Sequence, residues 1–101
     1  MFGFSKIRSI STTELAQKLG QNKVQLIDVR ESSEYARGHI KSARNLPLVQ
    51  IEQLTAPEGT KIFVICQSGL RSKRAYKVLN KKGFDVTNVT GGMSAWTGKI
   101  V

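Results

Sequence analysis

The stretch Lys61-Ile-Phe-Val-Ile-Cys66-Gln-Ser-Gly-Leu-Arg71-Ser72, continued by the basic segment to Lys82, decides how this chain is read. Its first half is an apolar, β-branched run too short for a helix, which predicts a buried strand. Its second half has a helical pattern in which Leu70, Ala75, Val78 and Leu79 can share one apolar face. A short loop joins the two, and the only cysteine stands at its mouth. Strand, tight loop and helix aim several backbone N–H groups and the positive end of a helix dipole at one point. A thiol placed there is pushed toward thiolate. In this reading Cys66 is a nucleophile and Gln67 to Arg71 form a cradle of N–H donors. Gly69 permits a turn that a Cβ would hinder, and Arg71, Lys73 and Arg74 add positive charge. The competing reading is a structural cysteine, since free Cys is among the most buried residue types. The abrupt change after Cys66 from apolar to polar, glycine-containing sequence favours the nucleophile.

Working outward, 101 residues make room for one domain, read as residues 1–101, with a real core. The balance of 16 Lys+Arg against 7 Asp+Glu gives a net charge of +9. That skew favours anionic partners, whether oxyanions, nucleic acid, acidic proteins or lipid surfaces, against the plain alternative of a solvated basic surface. A lone cysteine cannot form an internal disulfide, and a reduced, cytoplasmic setting is expected. No stretch approaches the ~20 apolar residues of a membrane span. The segment Met1 to Ile10 carries charges and lacks an apolar core, so it does not read as a secretion signal.

In chain order, Ile7 to Ile10 predicts a short first strand, and Ser11, Thr12 or Thr13 can cap a helix with Glu14 in its first turn. Leu15, Ala16 and Leu19 give that helix an apolar face, and Gly20 with Asn22 ends it. Val24 to Val29 predicts a second strand with Asp28 and Arg30 at its end. Glu31 to Arg37 predicts a short helix with Tyr35 and Ala36 turned inward, stopped by Gly38. His39 to Pro47 reads as an ordered connection, and Leu48 to Leu54 as another short helix. Pro57-Glu58-Gly59 is a turn into the Lys61–Cys66 strand, and Gly83 ends the basic helix after Lys81 and Lys82. Val86 to Val89 predicts the last strand, Gly91-Gly92 a turn, and Met93 to Trp96 a short closing helix. Strands alternating with helices imply an α/β three-layer sandwich, a central parallel sheet flanked by helices. Its functional groups gather beyond the carboxyl ends of the strands, where Cys66 stands.

Cys66-Gln-Ser-Gly-Leu-Arg71-Ser72 resembles the active-site loop of rhodanese-type sulfurtransferases. Asp28-Val-Arg30, Glu34-Tyr35, Gly38-His39-Ile40 and Ala43-Arg-Asn45-Leu-Pro47 resemble that family's first signature in order and spacing, and Gly91-Gly92-Met93 with Trp96 its closing one. Ser42 stands where family members often carry Gly or Pro. The resemblance implies that Cys66 takes the outer sulfur of an anionic donor, thiosulfate or a persulfide, and passes it to a thiophilic acceptor. Gln67, Ser68, Gly69, Leu70, Arg71 and Ser72 would then cradle the persulfide, with Arg71 attracting the donor. No metal and no cofactor is implied. Phosphatases of the same fold use a loop one residue longer than the four residues between Cys66 and Arg71, which implies a cradle sized for sulfur rather than phosphate. The alternative from another class is a catalytically silent rhodanese-like interaction or regulatory module. Such versions usually lack the cysteine that is retained here.

Asp28 can orient the loop or a basic side chain near Cys66, or serve as a structural acceptor. Arg30 is expected to pair with Glu34, four residues on, or to face the site. His39 has no metal cluster around it and is read as a hydrogen-bonding anchor. Asn45 is assigned to satisfying backbone groups, Trp96 to the core or a lid, and Gly91 and Gly92 to a turn. The basic helix with Lys73, Arg74, Lys77, Lys81 and Lys82 can steer anionic donors or dock an acidic sulfur-acceptor protein. Nucleic-acid binding lacks an aromatic platform or a helix-turn-helix pattern to support it. A monomer is expected.

Overall fold

The computed structural model describes residues 6–21 and 24–101. Asn22, assigned above to a helix stop, and the first residues of the Met1–Ile10 segment lie outside them.

The centre is a parallel sheet of five strands in the order β1-β5-β4-β2-β3, comprising β1 (Ser9–Ile10), β2 (Gln25–Asp28), β3 (Ala43–Asn45), β4 (Lys61–Ile65) and β5 (Asp85–Val89). Strand β4 lies in the middle, with Ile27 opposite Val64 and Asp28 opposite Ile65 on one side, and Val64 opposite Asn88 on the other. Because side chains alternate across a strand, β4 feeds two cores. Ile62, Val64 and Cys66 join Leu79, Ala75 and Tyr76 of helix α3 (Leu70–Lys81) and Ile51 of a 3-10 helix (Leu48–Gln53). Phe63 and Ile65 join Leu15 of α1 (Thr12–Gln21), Tyr35 of α2 (Ser32–Ala36) and Met93 of α4 (Gly92–Ala95). Each aliphatic side chain buried this completely contributes about 1.5–3 kcal/mol of transfer free energy, so both faces of the sheet are committed. The expected three-layer architecture is what the chain adopts.

Local chemistry explains the element ends. Ser11, among the three residues able to cap α1, does so: its Oγ accepts the Glu14 N–H at 3.1 Å, and the Glu14 carboxylate accepts the Ser11 N–H at 3.1 Å. The helix ends at Gln21, one residue past Gly20. Helix α2 is shorter than its apolar pattern suggested, and Ala36 is exposed rather than inward. Helix α3 ends at Gly83, whose φ of +92° supplies the left-handed turn. The C-cap residue Lys82 joins the two elements, its Nζ donating to the carbonyls of Leu54, at 3.0 Å, and Glu52 at the end of the 3-10 helix. The connection expected from His39 to Pro47 contains strand β3, an edge strand paired only with β2. No helix among the described residues is long and apolar enough to cross a membrane.

Candidate active site

Strand β4 delivers Cys66 to the carboxyl edge of the sheet, and the chain turns at once into α3. Gly69 makes that turn with φ +109°, a conformation few L-residues adopt. Its N–H donates to Cys66 Sγ at 3.0 Å, the sulfur lies 3.4 Å from Ser72 Oγ, and the Ser72 hydroxyl donates to the Gly69 carbonyl at 3.0 Å. Cys66 is 1% exposed. Burial opposes ionisation and is the largest single influence on the thiol. The Ser72 hydroxyl and the N–H groups of Ser72, Gly69 and Ser68 together outweigh it, and the pKa falls below the ordinary thiol value. The loop is thus a ring of donors around one sulfur atom.

A second helix terminus holds the ring from behind. The Met93 N–H donates to the Cys66 carbonyl at 2.8 Å and the Ser94 N–H to the Gln67 carbonyl at 2.9 Å. That approach requires Gly92 itself: a Cβ there would stand 2.3 Å from the Cys66 carbonyl oxygen. Sequence reasoning took Gly91 and Gly92 for simple turn residues and missed this clamp; a paired glycine before a short helix was the available signal.

The first signature lies along the other side of the loop. Asp28 is fully buried and grips Arg30, whose Nε and Nη2 donate to its carboxylate at 2.8–3.1 Å. Arg30 reaches on to the Gly38 carbonyl at 2.9 Å and to Gln67 Oε1 at 3.3 Å. Asp28 therefore acts in both expected ways, as a buried acceptor and as the orienter of a basic side chain touching the loop. The expected Arg30–Glu34 ion pair does not form. Arg30 precedes the N-cap Glu31, so helical register does not apply to it, and Asp28 is nearer. The Glu34 carboxylate instead binds Arg71 of the loop at 2.6 and 2.9 Å. That pairing holds the Glu34 carboxyl down to about 2, against a smaller opposing effect of burial, and it occupies the guanidinium expected to face the donor.

Leu70, expected on the inward face of α3, is 66% exposed, because at about 100° per residue it stands on the opposite side of the helix from the buried Leu79. His39 anchors its loop as read: its Nδ1 lies 2.8 Å from the Tyr35 carbonyl and its ring stacks on Tyr35. Asn45 Nδ2 donates to the carbonyls of Asp28 and Arg30. Trp96 packs on the second core, as one of its two readings had it, and borders a cavity of about 620 Å³ shared with Arg30, Arg37, Gln67 and Met93. Among the described residues no group of three or more His, Cys, Asp or Glu side chains converges.

Comparison with known proteins agrees with this geometry. A family model described as the rhodanese-like domain matches residues 11–99. The uncharacterized protein YqhL of Bacillus subtilis is 43% identical, over 87% of this chain and 72% of its own. The thiosulfate sulfurtransferase GlpE of Shewanella oneidensis is 32% identical, over 91% of this chain and 94% of its own. Among solved structures, a rhodanese-like domain protein from Staphylococcus aureus superposes with a TM-score of 0.83 at 35% identity, covering 92% of this chain and 94% of that one. With its parallel sheet, its sulfur-centred loop and these likenesses together, the chain belongs to the rhodanese-like domain family.

Proposed function

We propose that this protein is a sulfurtransferase that carries sulfane sulfur as a persulfide on Cys66. The observation that carries the reading is the Cys66 loop, in which a buried sulfur 3.0 Å from the Gly69 N–H has its pKa lowered by surrounding donors. A relative named thiosulfate sulfurtransferase supports thiosulfate as the donor.

In the first half-reaction the Cys66 thiolate attacks the outer sulfur of thiosulfate. A new S–S bond forms, the bond within thiosulfate breaks, and sulfite leaves with the electron pair. The N–H groups of Ser68, Gly69 and Ser72, which favour the thiolate, would hold the charge of the persulfide in the same way. In the second half-reaction a thiophile, cyanide or a thiol, attacks the outer sulfur, and Cys66 departs as thiolate. Arg30 would position Gln67 at the loop, while Asp28 fixes Arg30.

Intact-mass measurement after incubation with thiosulfate tests this on wild type beside Cys66→Ser. The expected result is one added sulfur atom on wild type only, removed by cyanide with release of thiocyanate. No adduct from thiosulfate, mercaptopyruvate or a small persulfide would overturn the enzymatic reading in favour of a binding module.

A further inference from the structure

Helix α3 carries Arg71, Lys73, Arg74, Lys77 and Lys81 and not one of the chain's seven acids. Arg71 is consumed by Glu34, but among the described residues the other four form no ion pair. Glu52 borders Lys77 and Lys81 without pairing to either. Two of the large apolar side chains left in solvent lie on the same side of the molecule. Leu70, 66% exposed, begins α3 just after the Cys66 loop, and Val49, 85% exposed, is the second residue of the 3-10 helix that packs against α3. The 3-10 helix starts where the Leu48 N–H bonds the Val29 carbonyl just past β2, so both residues lie at the carboxyl edge of the sheet.

We infer that this face docks an acidic protein that presents a cysteine to Cys66. The inference rests on the persulfide reading above and names the partner for the transfer. Charge complementarity selects the acidic surface. The exposed apolar pair at the carboxyl edge of the sheet selects a protein over a nucleic acid, since α3 offers no exposed aromatic ring for base stacking; its Tyr76 is buried. Because Cys66 is 1% exposed, the incoming cysteine must close over the mouth that Leu70 borders. In the transfer the partner thiolate bonds the outer sulfur, the Cys66–sulfur bond breaks, and Cys66 leaves as thiolate. No external oxidant or reductant is needed.

The length of α3 separates steering of a small ion from docking of a protein. At 1.5 Å per residue, Lys77 and Lys81 lie about 10 and 16 Å along the axis from Leu70. At physiological salt the screening length is about 8 Å. A small donor in the loop therefore feels these two lysines weakly, whereas a protein lying along the helix touches them.

The test uses two synthetic peptides, each with one cysteine and one leucine, one otherwise rich in Glu and the other in Lys. Transfer from thiosulfate-loaded protein to each is followed by mass, and binding of the labelled peptides to unloaded protein is titrated in parallel. The acidic peptide should accept sulfur roughly tenfold faster at low salt, with the advantage collapsing at high salt. The Lys77→Glu/Lys81→Glu variant should lose that advantage while thiosulfate-to-cyanide turnover at physiological salt stays within about twofold. Equal rates and equal binding for the two peptides would overturn the docking face while leaving the persulfide intact. So would a single-stranded oligonucleotide that binds where the acidic peptide does not. Should no sulfur load at all, the persulfide reading fails, and the binding titration still decides the surface.

Discussion

The Arg71 guanidinium grips the Glu34 carboxylate through both nitrogens, at 2.6 and 2.9 Å, tying the loop that begins α3 to helix α2. Both side chains are about three-quarters buried or slightly less, at 26% and 32% exposure, so the pair contributes at the upper end of a surface ion pair, about 1 kcal/mol. Its pH dependence follows from the depressed carboxyl. The stabilisation is complete above the ordinary value of 4.5 and is lost as pH falls through about 2. Glu34→Gln should therefore lower stability to urea by about 1 kcal/mol at pH 7, and the gap from wild type should close between those two pH values. A gap that stays constant down the titration would mean that the loss is not electrostatic.

Ser72 is expected to set the reactivity of Cys66. Its hydroxyl donates to the Gly69 carbonyl while lying 3.4 Å from the sulfur, and it can turn its proton to a thiolate. With burial opposing ionisation, removal of that donor should let the pKa rise. The pH profile of alkylation of wild type by iodoacetamide should have its midpoint below the ordinary thiol value of 9.0, and Ser72→Ala should move the midpoint upward. An unchanged midpoint would assign the lowering to the backbone N–H groups alone.

Gly92 offers a steric test of the clamp behind the loop. A Cβ there meets the Cys66 carbonyl oxygen at 2.3 Å and the Gln67 carbonyl carbon at 2.8 Å, at a φ of +58°. Gly59 has a comparable φ of +83° and nothing within 4 Å of an added Cβ. Gly59→Ala should cost about 1 kcal/mol for the left-handed backbone alone. Gly92→Ala should cost at least about 2 kcal/mol and also reduce sulfur loading, because the loop must move. Equal losses at the two sites, measured by urea unfolding, would show that backbone conformation and not contact with the loop matters.

The strand, loop and helix around Cys66 were legible because they are contiguous: a β-branched run, a glycine and a helical pattern follow one another without interruption. Strand β3 was not, since Ala43-Arg44-Asn45 carries no alternation and is held in place only by its pairing with β2. Leu70 was misplaced because its spacings of five and nine residues to Ala75 and Leu79 are not helical-face spacings: at about 100° per residue it stands opposite Leu79 on the wheel. Arg30 and Glu34 have the spacing of a helical pair, yet α2 starts between them. Asp28, the partner that won Arg30, is only two residues away, whereas Arg71 reaches Glu34 from 37 residues away, a pairing that no local spacing encodes. Gly92 acts on Cys66 across the sheet edge, a contact that no local pattern encodes.

The Asp28–Arg30 pair supplies the largest expected loss. Asp28 is fully buried and Arg30 is 4% exposed, with three guanidinium contacts to the carboxylate. Removing one member of a buried pair strands the other charge, which costs about 3–5 kcal/mol. Arg30→Met should therefore destabilise strongly and also release Gln67, whose Oε1 it holds at 3.3 Å. Asp28→Asn/Arg30→Met removes the stranded charge and keeps an acceptor for the Arg30 N–H, which donates to Asp28 Oδ1 at 3.0 Å. That double variant should regain most of the lost stability while sulfur transfer stays impaired, because Gln67 remains untethered. Recovery of stability without recovery of turnover would mark the pair as an orienter of the loop. If turnover returned in step with stability, the pair would serve the fold alone.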